Sequence, residues 1–231
     1  MIGINKTVCN GKRTDVKILA IAGSPVKGGN TDILLDSFLK GAGDEGAAVN
    51  KIYALDLCVE YCTSCGICLK TGRCTIKDDM HRIYEAIEKT DVMVIASPVY
   101  FMSFPAQLKV IIDRCQPMWA PAREQQYKHR EKKKRSRYAY LIATSGGKYK
   151  GTYDGIIATA KSFFATIGYR YSGELVVSDT DRFPVSGMDT NKPPIADAYS
   201  AGRIVTRIAA EERCREADRK DVFIGKKRPS T

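Results

Sequence analysis

The sequence predicts an α/β fold: a doubly wound, five-stranded parallel sheet with helices on both faces. Two observations predict it. Five short apolar runs recur along the chain, several of them closed by Gly, Ser or Pro. Segments with helical apolar spacing alternate with them, and strands alternating with helices require a parallel sheet covered on both sides.

The first run, Asp15–Ala22 (DVKILAIA), ends in Gly-Ser-Pro and reads as a buried strand entering a tight loop. Thr31–Lys40 then places Ile33, Leu34, Leu35 and Phe38 at helical spacing. Ala48–Leu57 reads as the second strand. The helix predicted over Asp78–Lys89 has acidic residues in its first turn, where they suit the helix dipole. Asp91–Ala96 is the third strand, and Pro105–Cys115 a helix with Pro near its start. Tyr138–Thr144 is the fourth strand, Tyr153–Ile167 a helix, Tyr171–Val177 the fifth strand and Ile195–Arg215 a closing helix. For five such strands the natural arrangement is the flavodoxin-like order 2-1-3-4-5. Residues 1–14 read as an N-terminal extension, 15–215 as one domain with a cysteine loop at 58–76, and 216–231 as a basic tail. The stretches 116–137 and 178–194 are left as long loops, which are usually functional or mobile.

At 231 residues, with 44% hydrophobic and 27% charged residues, the chain can bury a full core as one domain. No run of eighteen apolar residues occurs, and the N-terminus has no apolar signal region, so a cytoplasmic protein without membrane spans is expected. The formal charge is +11, concentrated in 123–137, where eight Lys or Arg stand against two Glu. Such a run is first a solvated loop, second a docking surface for an acidic partner and third a nucleic-acid contact. No nucleic-acid-binding motif accompanies it.

Four of the eight cysteines fall within thirteen residues, Cys62, Cys65, Cys68 and Cys74, spaced C-x2-C-x2-C-x5-C. Thiolates suit iron–sulfur clusters and zinc alike. Structural zinc sites commonly use two C-x2-C pairs set further apart. Three cysteines at consecutive x2 gaps come closer to a ferredoxin run, although Thr75 stands where that run has Pro. A [4Fe–4S] cluster on all four is the leading reading, with zinc, a thiol redox pair and an empty remnant as alternatives. Cys58 is a weak substitute ligand, Cys115 a packed core residue, and Cys9 and Cys214 belong to no ligand constellation. His81 and His129 have no partners that would suggest hydrolysis. Asp113-Arg114 reads as a local ion pair or helix-end contact, and Trp119 as a buried or pocket-lining ring.

Gly23-Ser24-Pro25-Val26-Lys27-Gly28-Gly29-Asn30-Thr31 joins the first strand to the first helix. Its glycines allow close backbone approach, Ser24, Asn30 and Thr31 offer donors, and the helix start adds free N–H groups. It matches neither a Walker A loop nor G-x-G-x-x-G. In this strand order the switch point, where FMN sits in flavodoxin, lies between strands 1 and 3. The loop Ser97-Pro98-Val99-Tyr100-Phe101-Met102-Ser103 offers apolar and aromatic bodies to a planar ring. Thr144-Ser145-Gly146-Gly147 offers exposed N–H groups to a polar edge.

GSPVKGGNT, CTSCGICLKTGRCTIKDDM, SPVYFMSFPAQLKVIIDR and TSGG follow one another at fitting distances over residues 16–177. Together they resemble the iron–sulfur flavoprotein branch of the NADPH-dependent FMN reductase-like family. The resemblance implies a flavodoxin-like fold, FMN, a [4Fe–4S] cluster on the cysteine motif and a homo-oligomer. It places phosphate contacts on Ser24, Asn30 and Thr31, and flavin-ring contacts on Pro98, Val99, Tyr100 and Phe101 with Ser145, Gly146 and Gly147 opposite. The expected function is an oxidoreductase taking electrons from a donor such as ferredoxin through the cluster to FMN, with no side chain serving as acid, base or nucleophile. The alternatives are an NAD(P)H-fed FMN or quinone reductase and a zinc-stabilised binding module.

Overall fold

The computed structural model describes residues 8–9, 12–13, 16–120 and 136–225, with side chains from 16 to 120 and 136 to 216. Strands β3 (Lys17–Ala22), β4 (Ala48–Tyr53), β5 (Val92–Pro98), β6 (Tyr138–Thr144) and β7 (Arg170–Val177) form one sheet in the order β4-β3-β5-β6-β7. All neighbours are parallel. Counted within the sheet this is the expected 2-1-3-4-5. A short antiparallel pair, β1 (Val8–Cys9) and β2 (Lys12–Arg13), lies in what the sequence suggested was a plain extension.

The helices are α1 (Asn30–Asp44), α2 (Ile67–Thr71), α3 (Met80–Lys89), α4 (Ala106–Asp113), α5 (Gln116–Trp119), α6 (Asp154–Thr166) and α7 (Ile195–Gly225). β3 and β5 are buried almost throughout because both faces are covered. Alternate side chains of each strand serve opposite cores. Leu19, Ile21, Met93, Ile95 and Leu141 pack with Ile83, Ile87, Leu108, Ile111 and Phe164 from α3, α4 and α6. Ile18, Ala20, Val92, Val94 and Ile142 pack with Leu34, Leu35, Phe38, Val205 and Ala209 from α1 and α7. α1 and α7 approach backbone to backbone: a Cβ at Gly41 would lie 2.1 Å from the Tyr199 carbonyl oxygen, and one at Gly202 2.0 Å from that of Phe38.

Of the boundaries that differ from expectation, three bear on the site or the tail. The second strand stops at Tyr53, not Leu57, because a 3-10 turn (Ala54–Asp56) tucks Ala54 into the core. The third strand runs on to Pro98: its missing N–H costs nothing there, since Val99 N–H takes over and donates to Thr144 O at 2.8 Å. The closing helix continues past Arg215 to Gly225, into the expected tail.

Candidate functional site

Parallel strands deliver all their following loops to one sheet edge, and the candidate loops meet there. The first runs from Gly23 to Asn30. Its side chains also bond within the protein. Ser24 Oγ donates to Val26 O at 3.2 Å and accepts from Val26 N–H at 3.1 Å. Asn30 Oδ1 accepts from Val185 N–H at 2.8 Å and Ser186 N–H at 3.3 Å, tying the phosphate loop to the 178–194 segment. The Thr31 hydroxyl lies 2.6 Å from that of Thr144, linking the first loop to the end of β6. Among the described residues no hydrogen bond uses the backbone N–H groups of Asn30, Thr31 or Asp32, nor the Asn30 side-chain amide N–H groups, so the open donors of this cradle are these.

Asp32 sits buried in the first turn of α1, beside that cradle. Its Oδ2 accepts from Gly28 N–H at 2.8 Å and Tyr53 OH at 3.1 Å, and its Oδ1 lies 2.7 Å from Lys51 Nζ. Burial raises its pKa, but the Gly28 N–H, Lys51 and Tyr53 outweigh that and hold it below the usual carboxylate range. Asp32 thus shapes the loop as an anion whose charge Lys51 offsets.

The second loop leaves β5 at Pro98. Val99 packs partly against the core, while Tyr100 and Ser103 close a tight turn through reciprocal backbone bonds of 3.0 and 2.9 Å. Phe101 and Met102, its central residues, have φ of 50° and 62°. Positive φ at both central positions is what a type I′ turn requires, and Asn-Gly is its favoured sequence. A Phe-Met pair there holds backbone strain, of order 1–3 kcal/mol per residue. The result presents Phe101 fully to the exterior, with Tyr100 and Met102 half exposed. In the third loop Ser145 Oγ donates to Gly147 O at 2.7 Å and lies 2.8 Å from Tyr153 OH, which reaches Ser178 at 3.1 Å. A Cβ at Gly146 would fall 2.3 Å from the Asp181 carboxylate, and one at Gly147 2.5 Å from the Tyr149 ring. In both places the neighbour is an exposed side chain that can turn aside, so the glycines leave room at this edge without being sterically required.

The cysteine loop leaves the same edge after β4. Cys62, Cys65, Cys68 and Cys74 all line one cavity of about 530 Å³, whose far wall is Val110, Asp113 and Arg114 of the α4 end with Gln116, Pro117 and Trp119 of α5. Burial, and after it the neighbouring Cys74, Cys65 and Cys62 thiols, push the Cys68 thiol upward. The thiols line this cavity without converging: among the described residues no three His, Cys, Asp or Glu side chains stand close enough to hold a metal ion. The donor set nevertheless suits a thiolate-ligated cluster in number, type and common access.

Two aspartates clamp the base of the loop. Asp79 Oδ2 accepts from Cys58 N–H at 2.9 Å and its N–H donates to Cys58 O at 3.2 Å; Asp78 Oδ2 accepts from Glu60 N–H at 2.9 Å. Arg114, 1% exposed, pairs with both Asp78 oxygens. It is a buried structural centre, more than the helix-end contact expected of it. Cys58 lies outside the cavity wall, Cys115 is buried, and Cys214 is disulfide-bonded. His81 packs edge-on against Tyr84; His129 and most of the basic run lie outside the described residues. Arg137, its last member, is structural: Nη2 donates to Ile167 O at 2.8 Å.

The strand order and the loops gathered at its carboxyl edge define a flavodoxin-like protein. The profile of the family described as NADPH-dependent FMN reductase matches residues 16–166, and the chain belongs to that family, in its iron–sulfur flavoprotein branch. An iron–sulfur flavoprotein of Archaeoglobus fulgidus is 40% identical over 102 residues, covering 44% of this chain and 46% of that protein. One of Methanosarcina thermophila is 37% identical over 99 residues, 43% of this chain and 52% of the other. The chain thus spans about half the length of these curated relatives. Among solved structures, a flavone reductase superposes with a TM-score of 0.65 at 20% identity, covering 84% of this chain and 63% of that one. An NAD(P)H:quinone oxidoreductase from Methanothermobacter marburgensis gives 0.59 at 15% identity, covering 82% and 98%. These two bear on the fold alone.

Proposed function

We propose that this chain is an oxidoreductase that binds FMN across the three loops and a [4Fe–4S] cluster on Cys62, Cys65, Cys68 and Cys74. It accepts electrons from an acidic ferredoxin-like donor and passes them to an acceptor at the flavin. The observation that carries the reading is the opening of all four motif thiols onto one cavity at the sheet edge that also bears the cradle, the Phe101 turn and the two glycines. α4 joins the two regions. It starts just after the Phe101 loop, and its eight residues rise about 12 Å before Arg114.

Bound there, FMN exchanges two electrons or one, and a [4Fe–4S] cluster one. The chain's own residues bind and orient. The backbone N–H groups of 30–32 and the α1 dipole receive the phosphate, with Ser24, Asn30 and Thr31 as side-chain partners. Pro98, Val99, Tyr100 and Phe101 cover one side of the ring, while Gly146 and Gly147 admit its polar edge closely. No side chain in this arrangement has to transfer a proton. Anaerobic purification, a visible spectrum and assays of iron, sulfide and flavin test the whole reading; a colourless protein containing zinc and no flavin sinks it in favour of a binding module. The family's description supports a second reading, direct reduction by NADPH. Rapid bleaching of the flavin by NADPH alone would decide for it.

The exposed Tyr100–Phe101–Met102 turn suits cover by a second subunit, so we include a homo-oligomer. Among the described residues no helix is long and apolar enough to cross a membrane. A cytoplasmic location, and no role in nucleic-acid binding, belong to the same proposal.

Two expected results bear on its parts. Asn30→Ala with Thr31→Ala should weaken FMN binding on the order of tenfold, the loss of one or two hydrogen bonds at about 1 kcal/mol each. The cradle loses the Asn30 amide and Thr31 hydroxyl as donors, together with its ties to Val185 and Thr144. Unchanged affinity by flavin fluorescence titration removes this loop from the site. Reversal of Lys132, Lys133 and Lys134 to Glu should slow reduction by an acidic protein donor and flatten its salt dependence, since screened attraction governs encounter. A small neutral reductant should react unchanged. Equal stopped-flow rates and salt slopes for both proteins would show that the run does not dock a donor.

A further inference from the structure

Arg114 is the one fully buried arginine among the described residues, and it stands where the cysteine loop, α3 and α4 meet. Nη1 donates to Glu60 O at 2.5 Å and to Asp78 Oδ2 at 2.6 Å. Nη2 donates to Asp78 Oδ1 at 3.1 Å and to Cys74 Sγ at 3.5 Å. Nε is buried without a hydrogen-bond partner among the described residues. The backbone beneath is fixed too: Arg114 N–H donates to Val110 O at 2.9 Å, and Arg114 O accepts from Tyr84 OH at 2.5 Å.

One planar group therefore touches the loop before its first motif cysteine, the aspartate after its last, and the last cysteine itself. A lysine could not do this, because its single ammonium cannot form a fork to the carboxylate and still reach a second acceptor. Burying an arginine is expensive, and Asp78 offsets only its charge, so the sulfur contact is a use for a group that simple packing would not need. A hydrogen bond from a cation to a ligand sulfur stabilises the more negative, reduced form of a cluster.

We propose that Arg114 is the positioning residue of the cysteine site: its guanidinium fixes Cys74 against the clamped loop base and sets the electron affinity of the cluster through that sulfur. This rests on the cluster reading above. Wild-type protein that takes up no iron and sulfide on anaerobic reconstitution would end that reading, whereas the comparison below concerns Arg114 alone.

The test is an anaerobic redox titration followed by electron paramagnetic resonance, with iron, sulfide and FMN measured in each protein. Arg114→Lys keeps the charge and loses the fork. It should load normally, with its reduction equilibrium shifted about tenfold toward the oxidised cluster, about 59 mV for one electron. Arg114→Met combined with Asp78→Asn avoids an orphaned carboxylate and retains an acceptor oxygen for one of the two N–H groups, of Glu60 or Met80, that Asp78 now receives. It should shift further in the same direction. An unchanged potential in loaded Arg114→Lys overturns the proposal, as does a loaded double variant at the wild-type potential. If Arg114→Lys cannot hold the cluster, loss of iron with FMN retained supports local positioning of the ligand. Loss of both together overturns it in favour of a general structural role.

Discussion

Cys68→Ser is expected to lose most iron and sulfide from anaerobically prepared protein while FMN stays at one per chain. Cys68 lies on the short helix α2 between two glycines in left-handed conformation, Gly66 at φ 71° and Gly72 at φ 68°. These turns bring it onto the same cavity as Cys62, Cys65 and Cys74. A serine oxygen is a harder and more basic ligand than a thiolate, so three thiolates and an alcohol hold iron poorly. None of the three flavin loops lines this cavity, so FMN should stay. Cys115→Ser is the matched control: that thiol is buried in the core and does not line the cavity of the motif cysteines, so both cofactors should remain. Full cluster content in Cys68→Ser would falsify the ligand assignment.

Gly202→Ala should destabilise the fold by about 3 kcal/mol or more, the upper range for overpacking, and lower Tm by roughly 6–12 °C. The new Cβ would lie 2.0 Å from Phe38 O and 2.8 Å from its carbonyl carbon, so backbone and no flexible side-chain tip must move. The movement separates α1 from α7 and carries the α1 start, hence the cradle, with it. Thermal melts in the presence and absence of FMN measure this. A shift below about 2 °C would mean that the two helices are free to slide apart, against the close packing described.

The strand order was readable because β3, β5 and β6 are covered on both faces and so appear as continuous apolar runs. The loops were readable because glycine clusters and thiols are chemically conspicuous. What escaped notice was anything that acts through a contact distant in sequence. Asn30 reads as a phosphate donor, and its oxygen also accepts from the backbone of Val185, 155 residues away. Asp32 reads as an ordinary first-turn acid, and its pairing with Lys51 appears only when β4 lies beside β3. Arg114 offered one local hint, a charge closing the apolar run VIID, and the Asp78-Asp79 pair another, four residues past the last motif cysteine. Neither hint says that the two meet. The strand ends slipped for a smaller reason: a 3-10 turn and a terminal proline satisfy the backbone in ways that apolar periodicity does not encode.

Between Leu55 and Asp79 the sole buried residue is Gly72, which has no side chain to bury. This segment therefore has almost no hydrophobic interior, yet ordering each residue costs roughly 1–2 kcal/mol of backbone entropy. The clamp at Cys58–Asp79 and Glu60–Asp78 holds only the neck. If the thiols hold the proposed cluster, it serves as this segment's core, and loading and local folding become one event. The parent sheet, sealed off by the clamp, should be indifferent to it. Amide exchange across 61–77 should slow by orders of magnitude when iron and sulfide are added to the apoprotein, while protection of β3, β5 and β6 stays level. Equal exchange across 61–77 in both forms would show that the segment orders itself.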